Sequence, residues 1–291
     1  MNEYVIVSDA TLDLPVEVIE EHNIQVIPMG VDIDNVSYYH HPDERDITIE
    51  AFYAKLKAGA ISHTSQITPG AFIDFFTGIL KSGLDIMYIS FSSGLSGTYD
   101  AAQLVINQLK DEFSERRICC VDSLCASIGE GLLVYNAALQ KQKGLDLEAL
   151  KEWLEANKTR SRHWFTVKDL FYLKRGGRLT SLEAMVGTAL KIRPVLSMDD
   201  QGKLDVVTKL RGSKVELQYM VNKMEIEGTD LSSQTVIVGH GDDIKQALAL
   251  EKVIRSRNLV KDVIISKIGP IIGTHTGPGM LALVYMGKQS L

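Results

Sequence analysis

Long apolar runs are missing from this chain of 291 residues. Every one is broken by charge, glycine or serine well before the roughly 18 residues that a membrane-spanning helix needs. The opening segment MNEYVIVSDATLD lacks a basic stretch followed by a leader-like apolar run, so nothing signals export and a cytoplasmic location is expected. Cysteine is scarce: Cys119, Cys120 and Cys125 are an odd number, which argues against a disulfide framework. Cys119 and Cys120 are adjacent in the strand-like run RICCV and should point to opposite sides, as buried thiols in a reducing compartment.

Positive charge is also in deficit, with 31 Lys and Arg against 37 Asp and Glu and a net charge of -6. Such a field repels a phosphate backbone, and no nucleic-acid partner is expected. Neither GxGxxG nor GxxxxGK[ST] occurs, so no nucleotide cofactor is signalled. The histidines at His40, His41, His63 and His240 fall in no HExxH pattern and beside no CxxC pair, which leaves no recognisable metal set. Internal repeats and low-complexity tracts are missing as well. No heptad calls for self-association, and a monomer is expected.

What the chain does contain is an alternation of short apolar runs with amphipathic segments, the pattern of parallel strands covered by helices. Val5 to Val7, Ile24 to Met29, Ile86 to Ser90 and Ile118 to Val121 read as strands. Leu14, Val18 and Ile19 suit a short helix between the first two. Thr68 before Pro69 marks a helix start, with Phe72, Phe75, Phe76 and Ile79 on one face. Ala101, Leu104, Val105 and Leu109 are expected to face the core from the next helix, and a further helix runs from about Ser127 to Gln140. Leu147, Leu150, Trp153 and Leu154 share a face of the helix after that.

The polar stretch NKTRSR that follows is the expected boundary, giving units 1–158 and 159–291. In the second unit Trp164 to Val167 reads as a strand. The turn Asp199 to Gly202 joins two runs, Pro194 to Met198 and Leu204 to Lys209, that should pair antiparallel. Thr235 to Val238, Val263 to Ile265 and the terminal MLALVYMG supply further strands, with a helix from about Asp242 to Arg255. The fold class is therefore α/β in two domains, a Rossmann-like first domain and a second domain with a mixed or antiparallel sheet.

Three segments carry candidate chemistry. The glycine-rich turn SGLSGTY after a strand can cradle an oxyanion or carboxylate with backbone N–H groups near the Ser96 hydroxyl, or be simply structural. Thr64 and Ser65 precede the proline-started helix, where hydroxyls often only cap. In an open α/β sheet the two turns would adjoin. His275 lies in IIGTHTGPGM, read as a tightly shaped loop, and can donate to an anion. Ser96, His275 and Asp9 or Asp122 also provide the residue types of a serine hydrolase, though GxSxG is lacking. KRGGRL clusters Lys174, Arg175 and Arg178 as a solvated turn or a docking surface for an acidic or phosphate-bearing partner.

Taken together, VSDATLDLP, TSQITPG, FSSGLSGTYDAA, VDS, YLKRGGRL and IGPIIGTHTGPG resemble the DegV family over nearly the whole chain, including the fatty-acid-binding subunits of bacterial fatty acid kinase. The resemblance implies a lipid site between the two domains. A long-chain fatty acid would be held there with its carboxylate on Thr64, Ser65, Ser96, Gly97 and His275. It implies no catalytic residue, no cofactor and no metal, and a separate ATP-dependent fatty acid kinase as partner, with Arg175, Arg178, Arg193 and Arg211 in the docking region. Lipid storage or regulation without a kinase is the alternative within the same resemblance. The chain departs from many relatives in Ala10, in Ile67-Thr68-Pro69 after TSQ, and in Arg193-Pro194.

Overall fold

The computed structural model describes residues 3–179 and 192–289. The apolar opening of the chain forms β1 (Tyr4–Asp9), buried along its whole length because it lies inside a parallel sheet covered on both faces. The order is β2-β1-β6-β7, where β2 is Ile24–Ile27, β6 is Asp85–Ser90 and β7 is Ile118–Asp122. Alternation along the strands sends Val5, Val7, Ile86 and Tyr88 to one face and Ile6, Met87, Ile89 and Val121 to the other. The cysteine pair obeys the same rule, Cys119 packing on the second face and Cys120 on the first. Helices α3 (Pro69–Lys81) and α4 (Thr98–Glu112) cover the first face; α5 (Ile128–Gln142) and α6 (Leu147–Asn157) cover the second.

Thr68 caps α3 as its sequence suggests, with Oγ1 accepting from the Ala71 N–H at 3.2 Å and Pro69 opening the helix. Phe72, Phe76 and Leu80 are buried, while Phe75 and Ile79 are half-buried at the edge of the same face. On the core face of α4 Val105 and Leu109 are buried as expected and Ala101 is half-buried, but Leu104 is 64% exposed and Ala102 and Ile106 are buried in its place. Both registers fit a 3.6-residue period, and only the docking of α4 beside α3 selects between them.

The run Ile24 to Met29 is not one strand. Pro28 cannot donate to a ladder, so β2 stops at Ile27 and the chain enters a separate three-stranded antiparallel sheet, β4-β3-β5. Its strands are β3 (Met29–Ile33), β4 (Val36–His40) and β5 (Ser62–Thr64). Asp34 and Asn35, both at positive φ, make the two-residue turn between β3 and β4. Helix α1 (Val16–Glu21) lies between β1 and β2, and α2 (Ile49–Lys57) between β4 and β5.

The described strands from Ser161 onward build a six-stranded mixed sheet of order β10-β9-β8-β13-β11-β12. These are β8 (Ser161–Thr166), β9 (Ile192–Met198), β10 (Leu204–Arg211), β11 (Thr235–His240), β12 (Asp262–Lys267) and β13 (Leu281–Met286). The β9–β10 pair is antiparallel across the Asp199 to Gly202 turn, whose Gly202 takes φ +69°. Helices α8 (Ser213–Glu227) and α9 (Ile244–Ser256) cover one face of this sheet through Met220, Met224, Leu250 and Ile254. The short helices α7 (Phe171–Arg175) and α10 (Pro270–Thr276) complete the fold.

Helix α5 packs against β1 and β6 of the parallel sheet and against β8, β11 and β13 of the mixed sheet. A helix so enclosed is apolar nearly all round, and its weak amphipathicity follows from that position. Two glycines permit the fit. A methyl group on Gly131 would fall 2.3 Å from the Leu12 carbonyl oxygen, and one on Gly129 would fall 1.7 Å from Nε2 of His163.

Candidate functional site

Between the parallel sheet's loops and the mixed sheet lies a narrow cavity of about 180 Å³. Phe91, Leu95, Phe165, Leu173, Met280 and Ile272 give it a mostly apolar wall. Strand alternation explains the lining from the mixed sheet: His163 and Phe165 of β8 face Val284 and Ala282 of β13 in register and point inward. Trp164, Leu281, Leu283 and Tyr285 point to the other side, under α8 and α9.

Thr64, Ser65, Ser96, Gly97 and His275 all border this cavity. The turn after β5 lies against the turn before α4, because Gly97 has no side chain to repel Gln66; a methyl group there would sit 2.5 Å from Gln66 Oε1. His275 is in the last turn of α10, within a helix and not the loop its glycine-rich surroundings suggested. Its Nε2 is 2.9 Å from Thr64 Oγ1, a contact across 211 residues. The imidazole presses on Gly176, where a methyl group would fall 2.2 Å from Nδ1. That nitrogen is buried and has no hydrogen-bond partner among the described residues. Burial holds the His275 pKa down at about 4, and the positive charges of Arg178 and Arg175 add to the effect, so the ring is neutral near pH 7.

Arg178, grouped by sequence with the docking arginines, borders the cavity itself. Its Nε donates to the Leu95 carbonyl at 3.2 Å and its Nη1 to the Gly176 carbonyl, fastening the KRGGR turn to the SGLSG turn. Arg175 instead lies over the ring of Tyr172, 5.0 Å from its centroid. Arg193 is 4.0 Å from the buried Glu216, and Arg211 is exposed at the end of β10.

The hydrogen bonds run against a serine hydrolase. Ser96 Oγ sits 2.9 Å from Thr98 Oγ1 and accepts from the Thr98 N–H, while His275 engages Thr64. Asp9 receives Thr11, Tyr88 and Phe91, and Asp122 receives Ser93 and Leu124, so neither orients His275. Among the described residues no group of three or more His, Cys, Asp and Glu side chains could hold a metal.

Sequence reasoning missed the polar support behind the cavity. Thr11 Oγ1 lies 2.5 Å from Asp9 Oδ1 and 2.7 Å from Glu130 Oε2, and Ser8 Oγ lies 2.8 Å from Glu130 Oε1. Ser127 Oγ donates to Asp13 Oδ2 at 2.6 Å, and the Gly269 N–H at the start of α10 donates to Asp13 Oδ1 at 2.8 Å. The available signal was Glu130 itself, one carboxylate within an Ala- and Leu-rich helix.

A model of the DegV family, described as an uncharacterised protein family, matches residues 3–288. The chain belongs to the DegV family. A DegV domain-containing protein of Clostridium perfringens is 37% identical over 287 residues, covering 99% of this chain and 98% of that one. A DegV family protein of Thermus thermophilus, described by its fatty acid binding, superposes with a TM-score of 0.88 at 26% identity, covering 99% of this chain and 100% of that one. A stearic-acid-binding protein of Eubacterium ventriosum gives 0.86 at 25% identity, covering 98% of each chain. This DegV protein therefore has the two-domain α/β architecture of its relatives. Among its described residues no helix is long and apolar enough to cross a membrane.

Proposed function

We propose that this DegV protein is a cytoplasmic carrier that buries one long-chain fatty acid and presents its carboxylate to a separate ATP-using kinase for acyl phosphate formation. The observation that carries this reading is a narrow, mostly apolar cavity bordered by Thr64, Ser65, Ser96, Gly97, His275 and Arg178. Burying around ten methylenes contributes about 8 kcal/mol before the costs of association, at roughly 0.8 kcal/mol each. The carboxylate is the costly part, since an unpaired charge in such a slot loses several kcal/mol. The Ser65 and Ser96 hydroxyls, the Gly97 N–H and the Nδ1–H of His275, whose Nε2 then accepts from the Thr64 hydroxyl, would answer it. The field of Arg178 and Arg175 that disfavours a charged His275 would favour an anion at the same place.

In this reading the units 1–158 and 159–291 close over the acyl chain. Arg175, Arg193 and Arg211 belong to the surface that meets the kinase, while Arg178 serves the head group. Donor groups that hold the carboxylate without a bidentate salt bridge leave one oxygen available to a phosphoryl donor. The fatty-acid part is tested by native mass spectrometry followed by denaturing extraction. One fatty acid per chain is expected, and a protein that stays empty after incubation with oleate refutes it. For the kinase part, protein, oleate, ATP and the cognate kinase are combined and acyl phosphate is measured. Product should require both proteins, and product from the carrier alone would overturn the division of labour.

A further inference from the structure

The carboxylate site is put together from distant parts of the chain. Thr64, Ser65, Ser96 and Gly97 all precede β7, whereas His275 ends α10, which links β12 to β13 of the mixed sheet. Helix α10 nevertheless rests on elements from the start of the chain. Its Ile271 packs in the apolar cluster of Val31, Phe52 and Tyr53, and a methyl group on Gly273 would fall 2.6 Å from Cε1 of Phe52. The Tyr53 hydroxyl donates to the Ile268 carbonyl at 3.0 Å, just ahead of the helix.

Asp13, in the loop after β1, grips the opening of that helix. Its Oδ1 accepts from the N–H of Gly269, the residue before α10, at 2.8 Å, and the Asp13 carbonyl accepts from the Ser266 hydroxyl at the end of β12. The approach is so close that a methyl group on Gly269 would fall 2.8 Å from Oδ1. The other carboxylate oxygen, Oδ2, accepts from the Ser127 hydroxyl at 2.6 Å. Ser127 borders the cavity and is held at φ 56°, ψ -139°, a backbone state that residues with side chains rarely adopt and that persists only where surrounding contacts enforce it. A strained serine on the cavity wall and the helix that bears the head-group imidazole thus share one carboxylate. Asp13 is 6% exposed, and burial lifts its pKa to about 7 against the pull of the Ser127 and Gly269 bonds, which favour the ionised form.

Building on the fatty-acid reading above, we infer that Asp13 is a positioning residue for the carboxylate site: by fixing the start of α10 it sets where His275 presents its Nδ1–H beside Thr64. Asp13 lies behind the cavity wall and acts through the helix. The tolerance is small. Helix α10 has 7 residues, so the imidazole is carried at the far end of a rod roughly 10 Å long, and a tilt at Gly269 moves it. A hydrogen bond weakens steeply as its angle falls toward about 120°, so such a tilt costs the carboxylate its imidazole donor while leaving the apolar wall in place.

The test is calorimetric titration of delipidated wild type, Asp13→Ala and Asp13→Asn with oleate and with methyl oleate, at alkaline pH, together with NMR of the histidine ring nitrogens. Asp13→Ala should bind oleate about tenfold more weakly, the loss of one charge-assisted hydrogen bond, with methyl oleate held within about twofold and the His275 signals displaced. Asp13→Asn keeps an oxygen for Gly269 and turns an N–H₂ toward the Ser127 oxygen, so oleate affinity should recover to within about threefold of wild type. If Asp13→Ala binds oleate like wild type, or loses oleate and methyl oleate in equal measure, the inference is wrong while fatty-acid binding stands. If wild type itself does not bind oleate, both fall. Should Asp13→Ala fail to fold, Asp13→Asn decides: exchanging carboxylate for amide should shift the Gly269 amide proton and the His275 ring nitrogens together, and an unmoved His275 ring overturns the inference.

Discussion

Glu130 offers a sharp test of how the interior is held together. Its carboxyl is fully buried and is pushed well above the ordinary carboxylate range, by burial first and by Asp9 second. The hydrogen count around it is short by one or more. Thr11 has a single hydroxyl hydrogen but touches oxygens of both Asp9 and Glu130, and Ser8 has a single hydrogen for Glu130 and the Ile89 carbonyl. Burial raises the Asp9 carboxyl too, but it receives the Thr11 N–H, the Tyr88 hydroxyl and the Phe91 N–H besides, bonds that favour its charged form over that of Glu130. The shared proton therefore sits on Glu130.

Glu130→Gln keeps the shape and supplies an uncharged donor and acceptor, so it should cost within about 1 kcal/mol. Glu130→Ala leaves a cavity and orphans Thr11 and Ser8, for about 3–5 kcal/mol. Asp9→Asn turns an N–H₂ toward existing donors and should cost about 3 kcal/mol. Urea unfolding followed by tryptophan fluorescence measures all three. The sign of the pH effect follows from the raised pKa. The native state binds more protons than the unfolded chain, so the contribution of Glu130 is complete below pH 4.5 and is lost as pH rises through the native value. Glu130→Gln should therefore lose less stability than wild type at alkaline pH. If Glu130→Gln costs as much as Glu130→Ala, or if Asp9→Asn is harmless, the proton assignment is wrong.

Thr64→Val should weaken fatty acid binding about tenfold in a displacement assay, since it removes a hydroxyl from the head-group station and the partner of His275. Gly176→Ala has no backbone obstacle at φ -73° but drives a methyl group into His275, so affinity should fall several-fold in the same assay with little change in midpoint of unfolding. His40, His163 and His275 each have pKa values near 4 against 6.5 for the free side chain, so their contribution to stability falls as pH drops from 6.5 toward 4. Asp13, raised to about 7, contributes the opposite slope, and His163→Gln compared with wild type isolates the histidine part by a shallower fall in that window. Burial pushes all three thiols up, Cys119 to about 11, so alkylation at pH 8 should be slow in the native protein and fast in urea.

Local chemistry was legible in the sequence wherever neighbours along the chain decide it. Thr68-Pro69 opens a helix, Asp199 to Gly202 turns a hairpin, and alternation separates Cys119 from Cys120; each follows from φ, from donor counts or from strand pleat, without reference to distant residues. Pro28 was equally legible as a strand breaker and was passed over. The family resemblance rests on motifs scattered over nearly the whole chain, and the sequence alone was enough to recognise it. Tertiary structure alone decided that α4 buries Ala102 and Ile106 and exposes Leu104, beside the Val105 and Leu109 that belong to either face. It alone brought Thr64 within 2.9 Å of His275, moved Arg178 from the surface group to the cavity wall, and joined Glu130 to Ser8 and Thr11. Such contacts depend on where two sheets and the helix between them come to rest. That position is set by the summed packing of many side chains, none of which carries it individually.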